Sequence, residues 1–333
     1  MERGRGEVLP ERPFVRRYLL QRLFAFLPIL IGVSLLVFTA IRLIPGDVIT
    51  ATLGTEAGML TDAQRESLRS YYGLDRPVVE QYARWAAGAI TGDLGVSTRH
   101  GKPVTELIGD RFPVTLQLAL MAVTLALLVG IPLGILAAVR HNTIFDLFVR
   151  MLALAGLVMP GFLVGTLIIY LLSTVFGVLP NAGNFVRFNE DPGLNLRQMI
   201  FPAITLGFAF SASVMRMTRS SMLEVLGDDY VRTARGKGLR ERRVITQHAL
   251  RNALIPVVTL VGVEMGYLLG GTFIIETLFS LPGLGRLLVN AISQRDYALV
   301  QGATLFIASV FVLINLLVDL VYAAVDPRIS YDR

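Results

Sequence analysis

The sequence predicts an all-α integral membrane protein with about six membrane-spanning helices. Hydrophobic residues make up 53% of the 333 residues and charged ones only 17%, against about 25% charged in soluble domains. The mean hydropathy is +0.61. The apolar residues gather into blocks that recur from Tyr18 to Val325, each close to the ~20 residues a helix needs to cross ~30 Å of hydrocarbon. Backbone polar groups in lipid must be satisfied within the segment, so each block reads as a helix.

In order, the blocks run Tyr18–Ile41, Val114–Val139, Leu147–Phe176, Ile200–Met217, Ala253–Leu278 and Gln301–Val325. Arg16, Arg17 and Arg22 at the start of the first suggest a signal peptide. Its apolar run exceeds a core of ~7–15 residues, however, and Ile41-Arg42-Leu43-Ile44-Pro45 offers no small-residue cleavage site. It therefore stays in the mature protein. The second block has Gly130 and Gly134 around Pro132. Arg216 and Arg219 close the fourth early. In the fifth, Gly262, Gly266 and Gly270 form a stripe at four-residue spacing that admits another helix closely; packing and pathway-lining readings are both open. Glu264 is an acidic group well inside that block, where insertion costs ~2.5–3.5 kcal/mol, so it faces a cavity or a partner. A pathway contact and a bond between helices both satisfy that requirement. Asp319, nearer the end of the last block, reads as structural.

Arginines orient the chain. Arg3, Arg5, Arg12, Arg16 and Arg17 place the amino terminus in the cytoplasm, and six crossings return Asp326–Arg333 to the same side. The basic loop 218–255 then lies inside, and the long loop 42–113 outside. The resulting organisation is a cytoplasmic tail (1–17), a transmembrane domain (18–325) and a second cytoplasmic tail (326–333).

Several functions are excluded. There is no cysteine, which removes disulfides, thiolate metal sites and Cys nucleophiles. His100, His141 and His248 are too dispersed for a His-rich metal site. The net charge of +6 sits beside apolar blocks as a topology signal rather than as a nucleic-acid patch. Gly236-Lys237-Gly238 lacks the spacing and hydroxyl of a phosphate loop, and no catalytic cluster falls within the blocks.

Two loops carry information. The outer loop predicts a helix over Thr61–Tyr72, with Thr61 or Asp62 as N-cap and Gly73 closing it. Gly73-Leu74-Asp75-Arg76-Pro77 leads into a second amphipathic run, Val78–Ala87, holding Tyr82 and Trp85. An ordered loop of this length either docks a soluble partner or caps the membrane domain. In the inner loop, Gly227-Asp228-Asp229 followed by Tyr230–Arg235 predicts a short helix with an Asp N-cap, stopped by Gly236-Lys237-Gly238. A basic amphipathic helix over Leu239–Asn252 then runs into Ala253-Leu254-Ile255-Pro256. Composition leaves a protein partner and an anionic lipid surface equally open for this loop.

Tyr230-Val231-Arg232-Thr233-Ala234-Arg235-Gly236-Lys237-Gly238-Leu239, followed by His248–Pro256, resembles the EAA loop of binding-protein-dependent ABC importer permeases. Arg232-Thr233-Ala234 stands where the family core has Glu-Ala-Ala, and Gly238 takes the place of its Gly. That variant, with its longer spacing to Pro256, is similar to the dipeptide/oligopeptide (peptide/nickel) branch. Leu43-Ile44-Pro45-Gly46-Asp47, Gly73–Pro77, Gly92-Asp93-Leu94-Gly95, Thr277–Gly285 and Asp326-Pro327-Arg328 resemble the same branch, and the long first outer loop resembles its B-type subunit.

The resemblance implies a type I (MetI-like) permease fold in a bacterial or archaeal cytoplasmic membrane. It also implies a C-type permease partner, two ABC ATPase subunits that bind ATP and magnesium, and an extracytoplasmic solute-binding protein, with no cofactor in this chain. By the same resemblance, Asp229, Tyr230, Arg232, Thr233, Ala234, Arg235 and Gly238 would form a coupling helix docked on an ATPase. Glu264, Gly262, Gly266 and Gly270 are pathway candidates, and Asp75, Arg76, Tyr82 and Trp85 are docking candidates for the binding protein. Peptide is the implied cargo, with nickel, glutathione, haem and oligosaccharide carried by close relatives. An ion-coupled transporter using Glu264 is the alternative class.

Overall fold

A computed structural model of the chain describes residues 13–43, 58–71, 74–181 and 184–325. Arg3, Arg5, Arg12, Ile44–Asp47, Gly73 and Asp326–Arg333 lie outside the described residues. The described chain is helical, with one isolated antiparallel bridge between Val96 and Pro103. Among the described residues, five helices are long and apolar enough to cross a membrane, or six if one bent pair counts as a single span.

The helices are α1 (Pro13–Leu43), α2 (Asp62–Tyr71), α3 (Val78–Thr91), α4 (Val104–Val139), α5 (Ile144–Val158), α6 (Gly161–Phe176) and α7 (Pro192–Leu226). Then come α8 (Asp229–Gly236), α9 (Glu241–Arg243), a π-helical turn (Val244–Ala249), α10 (Leu250–Gly271), α11 (Phe273–Leu278), α12 (Leu284–Ser293) and α13 (Tyr297–Val325).

The spine is the pairing of α4 with α7, and it depends on missing side chains. A Cβ on Gly130 would lie 2.8 Å from Val214 Cβ, and one on Gly134 would lie 2.7 Å from Thr218 Cβ. In the opposite direction, a Cβ on Gly207 would stand 2.9 Å from the Ala122 carbonyl oxygen. Small residues let the two backbones approach closely where burial against lipid gives no driving force. Helix α5 adds to this spine through Val149 and Ala153, packed with Ala137, Ala212 and Met215.

Several expectations change. The block Leu147–Phe176 is two helices at 105°. Met159 is extended (φ −74°, ψ 123°) because a residue preceding proline is disfavoured in the α region; Pro160 therefore breaks the rod. Helix α4 begins at Val104 rather than Val114 and runs through Pro113, so the outer loop 42–113 includes its first turns. Helix α7 passes Arg216 and Arg219 and ends at Leu226, because Arg219 is neutralised within the fold. Its Nε and Nη2 donate to Asp146 at 2.6 and 2.9 Å, and Asp146 is fully buried. The inner loop 218–255 shrinks accordingly to the segment between Leu226 and Glu241, apart from α8. The fifth block is α10 followed by a separate α11.

In the segment between α1 and α3, Thr61 and Gln64 form a reciprocal cap. The Gln64 N–H donates to Thr61 Oγ1 at 3.3 Å and the Thr61 N–H to Gln64 Oε1 at 2.9 Å, a capping box. At the same end, Glu276 is a buried carboxylate held by neutral donors. Thr115 and Thr272 hydroxyls donate to it at 2.7 and 3.0 Å, and the Arg286 N–H at 2.8 Å. It sits at the start of α12, where free N–H groups and the helix dipole favour an anion. Gly283 is required there, because a Cβ would collide with the Glu276 carboxyl group.

Candidate functional site

Helix α8 spans eight residues, Asp229–Gly236, and its spacing divides it into two faces. Val231 and Ala234, three apart, are buried and pack with Val244, Leu226 and Leu239. Asp229, Arg232, Thr233 and Lys237 are exposed. The result is a knob with an apolar root and a polar outer face. Asp228 occupies the N-cap position but its side chain makes no capping bond, which corrects the expected Asp cap. Gly238, not Gly236, has the left-handed conformation (φ +76°) that ends the unit, a conformation costly to other residues.

Side chains tie the knob to both neighbouring elements. Arg235 donates to Glu241 at 2.8 and 3.2 Å and to the Leu226 carbonyl at 3.4 Å. The Glu241 carboxylate raises the Arg235 pKa further above its usual value, so the pair stays charged. Tyr230 accepts from Asn252 Nδ2 at 2.8 Å and donates to the His248 carbonyl at 3.3 Å. The connection to α10 crosses the π-helical turn Val244–Ala249. Such turns often mark functional positions in helices. The knob is thereby bonded to the base of α10.

Helix α10 also has two faces. Gly262 and Gly266 are buried, and a Cβ on either would collide with Val318 or Phe311 of α13. The structure thus places these glycines in a packing seam; the environment of Gly270 falls outside what is described. Glu264, two positions from each, lies on the opposite side of the helix by its 100° per residue. It is half-buried and makes no hydrogen bond or ion pair among the described residues.

At the other end, Tyr82 and Trp85 turn towards α1. The Tyr82 ring stands edge-on to Phe38 at 5.2 Å, Trp85 lies 6.4 Å from Phe38, and the Tyr82 hydroxyl bonds to Ser34 at 2.8 Å. Asp75 is exposed and Arg76 pairs with Glu80 at 3.0 Å. Sequence reasoning missed Asp146, Glu276 and the buried Asp296. An acid in the apolar run Ile274-Ile275-Glu276 was a visible signal. Asp146 pairs with a residue 73 positions away and had none.

Residues 130–331 match the family described as binding-protein-dependent transport system inner membrane component, and residues 15–119 match its N-terminal companion. The chain belongs to this permease family. It is 42% identical to the dipeptide transport system permease protein DppB of Escherichia coli K12, over 95% of this chain and 99% of that protein. It is 41% identical to the glutathione transport system permease protein GsiC of Escherichia coli O6:H1, over 94% of this chain and 99% of that protein. A solved inward-facing MetNI methionine ABC transporter has the same fold, with a TM-score of 0.50 at 16% identity, covering 66% of this chain and 96% of that one. The permease is thus a multi-pass inner-membrane transport subunit of a binding-protein-dependent ABC importer.

Proposed function

We propose that this permease imports short peptides as one half of a heteromeric pathway. A second, C-type permease completes the pathway, two ATPase subunits sit inside and a solute-binding protein delivers cargo outside. Both termini are cytoplasmic. ATP and magnesium belong to the ATPases, and this chain hydrolyses nothing and holds no cofactor.

The observation that carries this reading is the knob: an exposed polar face on a buried apolar root, bonded directly to the base of α10. Closure of the ATPase dimer on ATP pushes α8, and Tyr230 with Arg235 passes the displacement to the π-helical turn and α10. That helix slides on the Gly262–Gly266 seam and carries Glu264, which faces the pathway. Asp75 and Arg76 lie on the surface that meets the binding protein, and the packing of Tyr82 and Trp85 on α1 gives that surface a firm base. Peptide cargo rests on the likeness to the dipeptide permease. The near-equal likeness to GsiC supports glutathione, itself a modified tripeptide, as a second reading.

Reconstitution in proteoliposomes with the partner permease, both ATPases and the binding protein tests this. Labelled dipeptide should enter only with ATP, and Arg232→Glu should abolish uptake in a folded complex. Uptake driven by an ion gradient without ATP, and lost in Glu264→Gln, would establish a secondary transporter instead. Competition by glutathione separates the two cargo readings.

A further inference from the structure

A pocket of about 240 Å³ opens between the first turns of α4 and one face of α12. Arg111 of α4 lines it together with Arg286, Asn290 and Gln294, which recur every four residues along α12 and its cap and so stand in a row. His100 and the Pro282-Gly283 turn add to the wall, and no acid lines it. Arg111 and Arg286 are half-buried, and neither side chain makes a hydrogen bond or ion pair among the described residues. Each guanidinium offers five donors in a fixed fork, and a cation partly removed from water is ordinarily paired.

The surrounding charges do not meet that need. Asp110 pairs with Arg187 at 3.0 Å. Behind the wall, Glu276 and Asp296 are buried. Glu276 accepts from two threonine hydroxyls and the Arg286 N–H, and Asp296 from the Ser97 hydroxyl and the Leu299 N–H. Arg99 and Arg295, next to His100 and Gln294 in sequence, have interactions of their own. Among the described residues, four arginines therefore stand against two buried acids, and the two that line the pocket are the unpaired ones.

The pocket lies at the end of the molecule away from the knob. Helix α4 runs from here to Ala138, which packs with Met222 and Ala249, and Ala249 closes the π-helical turn beside α8. The lining also selects the ligand. A free peptide brings an ammonium as well as a carboxylate, and the wall has no acid to receive it. A carboxylate carried on a folded surface enters alone, and its two oxygens match the planar fork of arginine.

We propose that this pocket receives an acidic side chain of the solute-binding protein when that partner docks. The carboxylate lies between Arg111 and Arg286, with the Asn290 and Gln294 amides as further donors. This rests on the importer reading under Proposed function, which brings the binding protein to this side.

The test titrates the assembled transporter, in nanodiscs, with fluorescently labelled, cargo-loaded binding protein. Affinity for the wild type should fall as salt rises. Arg111→Gln and Arg286→Gln should each weaken binding about tenfold, the worth of a hydrogen-bonded charge. Should either variant fail to assemble, Asn290→Asp, at an exposed position, places a carboxylate in the pocket and should weaken binding to a similar extent. Against Arg286→Glu, reversing surface acids of the binding protein one at a time to arginine should uncover one that restores affinity. Wild-type affinity in all the glutamine and aspartate variants overturns the proposal and leaves the importer reading intact. Absence of any binding to the wild type overturns the importer reading, and this one with it. Labelled dipeptide that binds the wild type without the binding protein, and is lost in Arg286→Gln, would make this a cargo site and overturn the docking assignment.

Discussion

Arg219 grips Asp146 with two hydrogen bonds, at 2.6 and 2.9 Å, across 73 residues of sequence. The Asn142 N–H adds a third to the same carboxylate at 3.1 Å. The carboxylate is fully buried and the guanidinium mostly so, which locks the start of α5 against the last turns of α7. Removing one partner of a buried pair leaves an uncompensated charge and costs about 3–5 kcal/mol. Asp146→Asn should lower the thermal midpoint of the purified permease sharply. Asp146→Leu combined with Arg219→Met should restore much of it, since an apolar pair of similar volume leaves no charge behind.

The glycines of α4 make a paired prediction. Gly134→Leu must push α7 away, because the Thr218 Cβ and the Met215 carbonyl oxygen lie 2.7 and 2.8 Å from its first carbon. Overpacking of this kind costs about 1–3 kcal/mol. A Cβ on Gly109, in the same helix, meets nothing within 4 Å, so Gly109→Ala should stabilise by about 0.5–1 kcal/mol. Thermal unfolding in one detergent would order the three proteins as Gly109→Ala, wild type, Gly134→Leu.

Glu276 and Gly283 behave as one unit. Glu276→Gln keeps the shape but loses charge-assisted bonds to two hydroxyls and an N–H, a loss of about 1–3 kcal/mol. Gly283→Ala should be at least as damaging, because its methyl group occupies the carboxyl position. The double variant should be less destabilised than the sum of the singles, measured as a double-mutant cycle in thermal stability.

What the sequence makes legible follows from how local each signal is. The apolar core of every span can be read, because lipid selects composition residue by residue. The true lengths of α4 and α7 cannot, since their outer turns are amphipathic and pack on protein. The bend at Met159-Pro160 is hidden by apolar residues on both sides. At the site, a short helix stopped within Gly236-Lys237-Gly238 is readable from the sequence, but that Gly238 is the one in the left-handed conformation is not. The partners of Tyr230 and Arg235 are not, because Asn252 and Glu241 are supplied by the next elements. Asp146 and Arg219 are each ordinary in sequence; only the fold brings them together.

Gly238 separates folding from coupling. Gly238→Ala strains a left-handed position by about 1–2 kcal/mol without touching the core around Met222 and Ala249. The permease should still fold and assemble, while ATP turnover becomes less dependent on the loaded binding protein. Measuring ATPase activity with and without that protein, against the same ratio in wild type, checks this.

The central claim is that the outer face of α8 meets an ATPase. Since the chain has no cysteine, an introduced one is unique. Thr233→Cys, exposed, and Ala234→Cys, buried, differ by one position and should differ completely in reach. In the assembled transporter, a short thiol crosslinker should join Thr233→Cys to an ATPase subunit, in an ATP-dependent manner, and leave Ala234→Cys unlinked. Equal linking at both positions, or linking of Thr233→Cys to lipid and never to an ATPase, would contradict it.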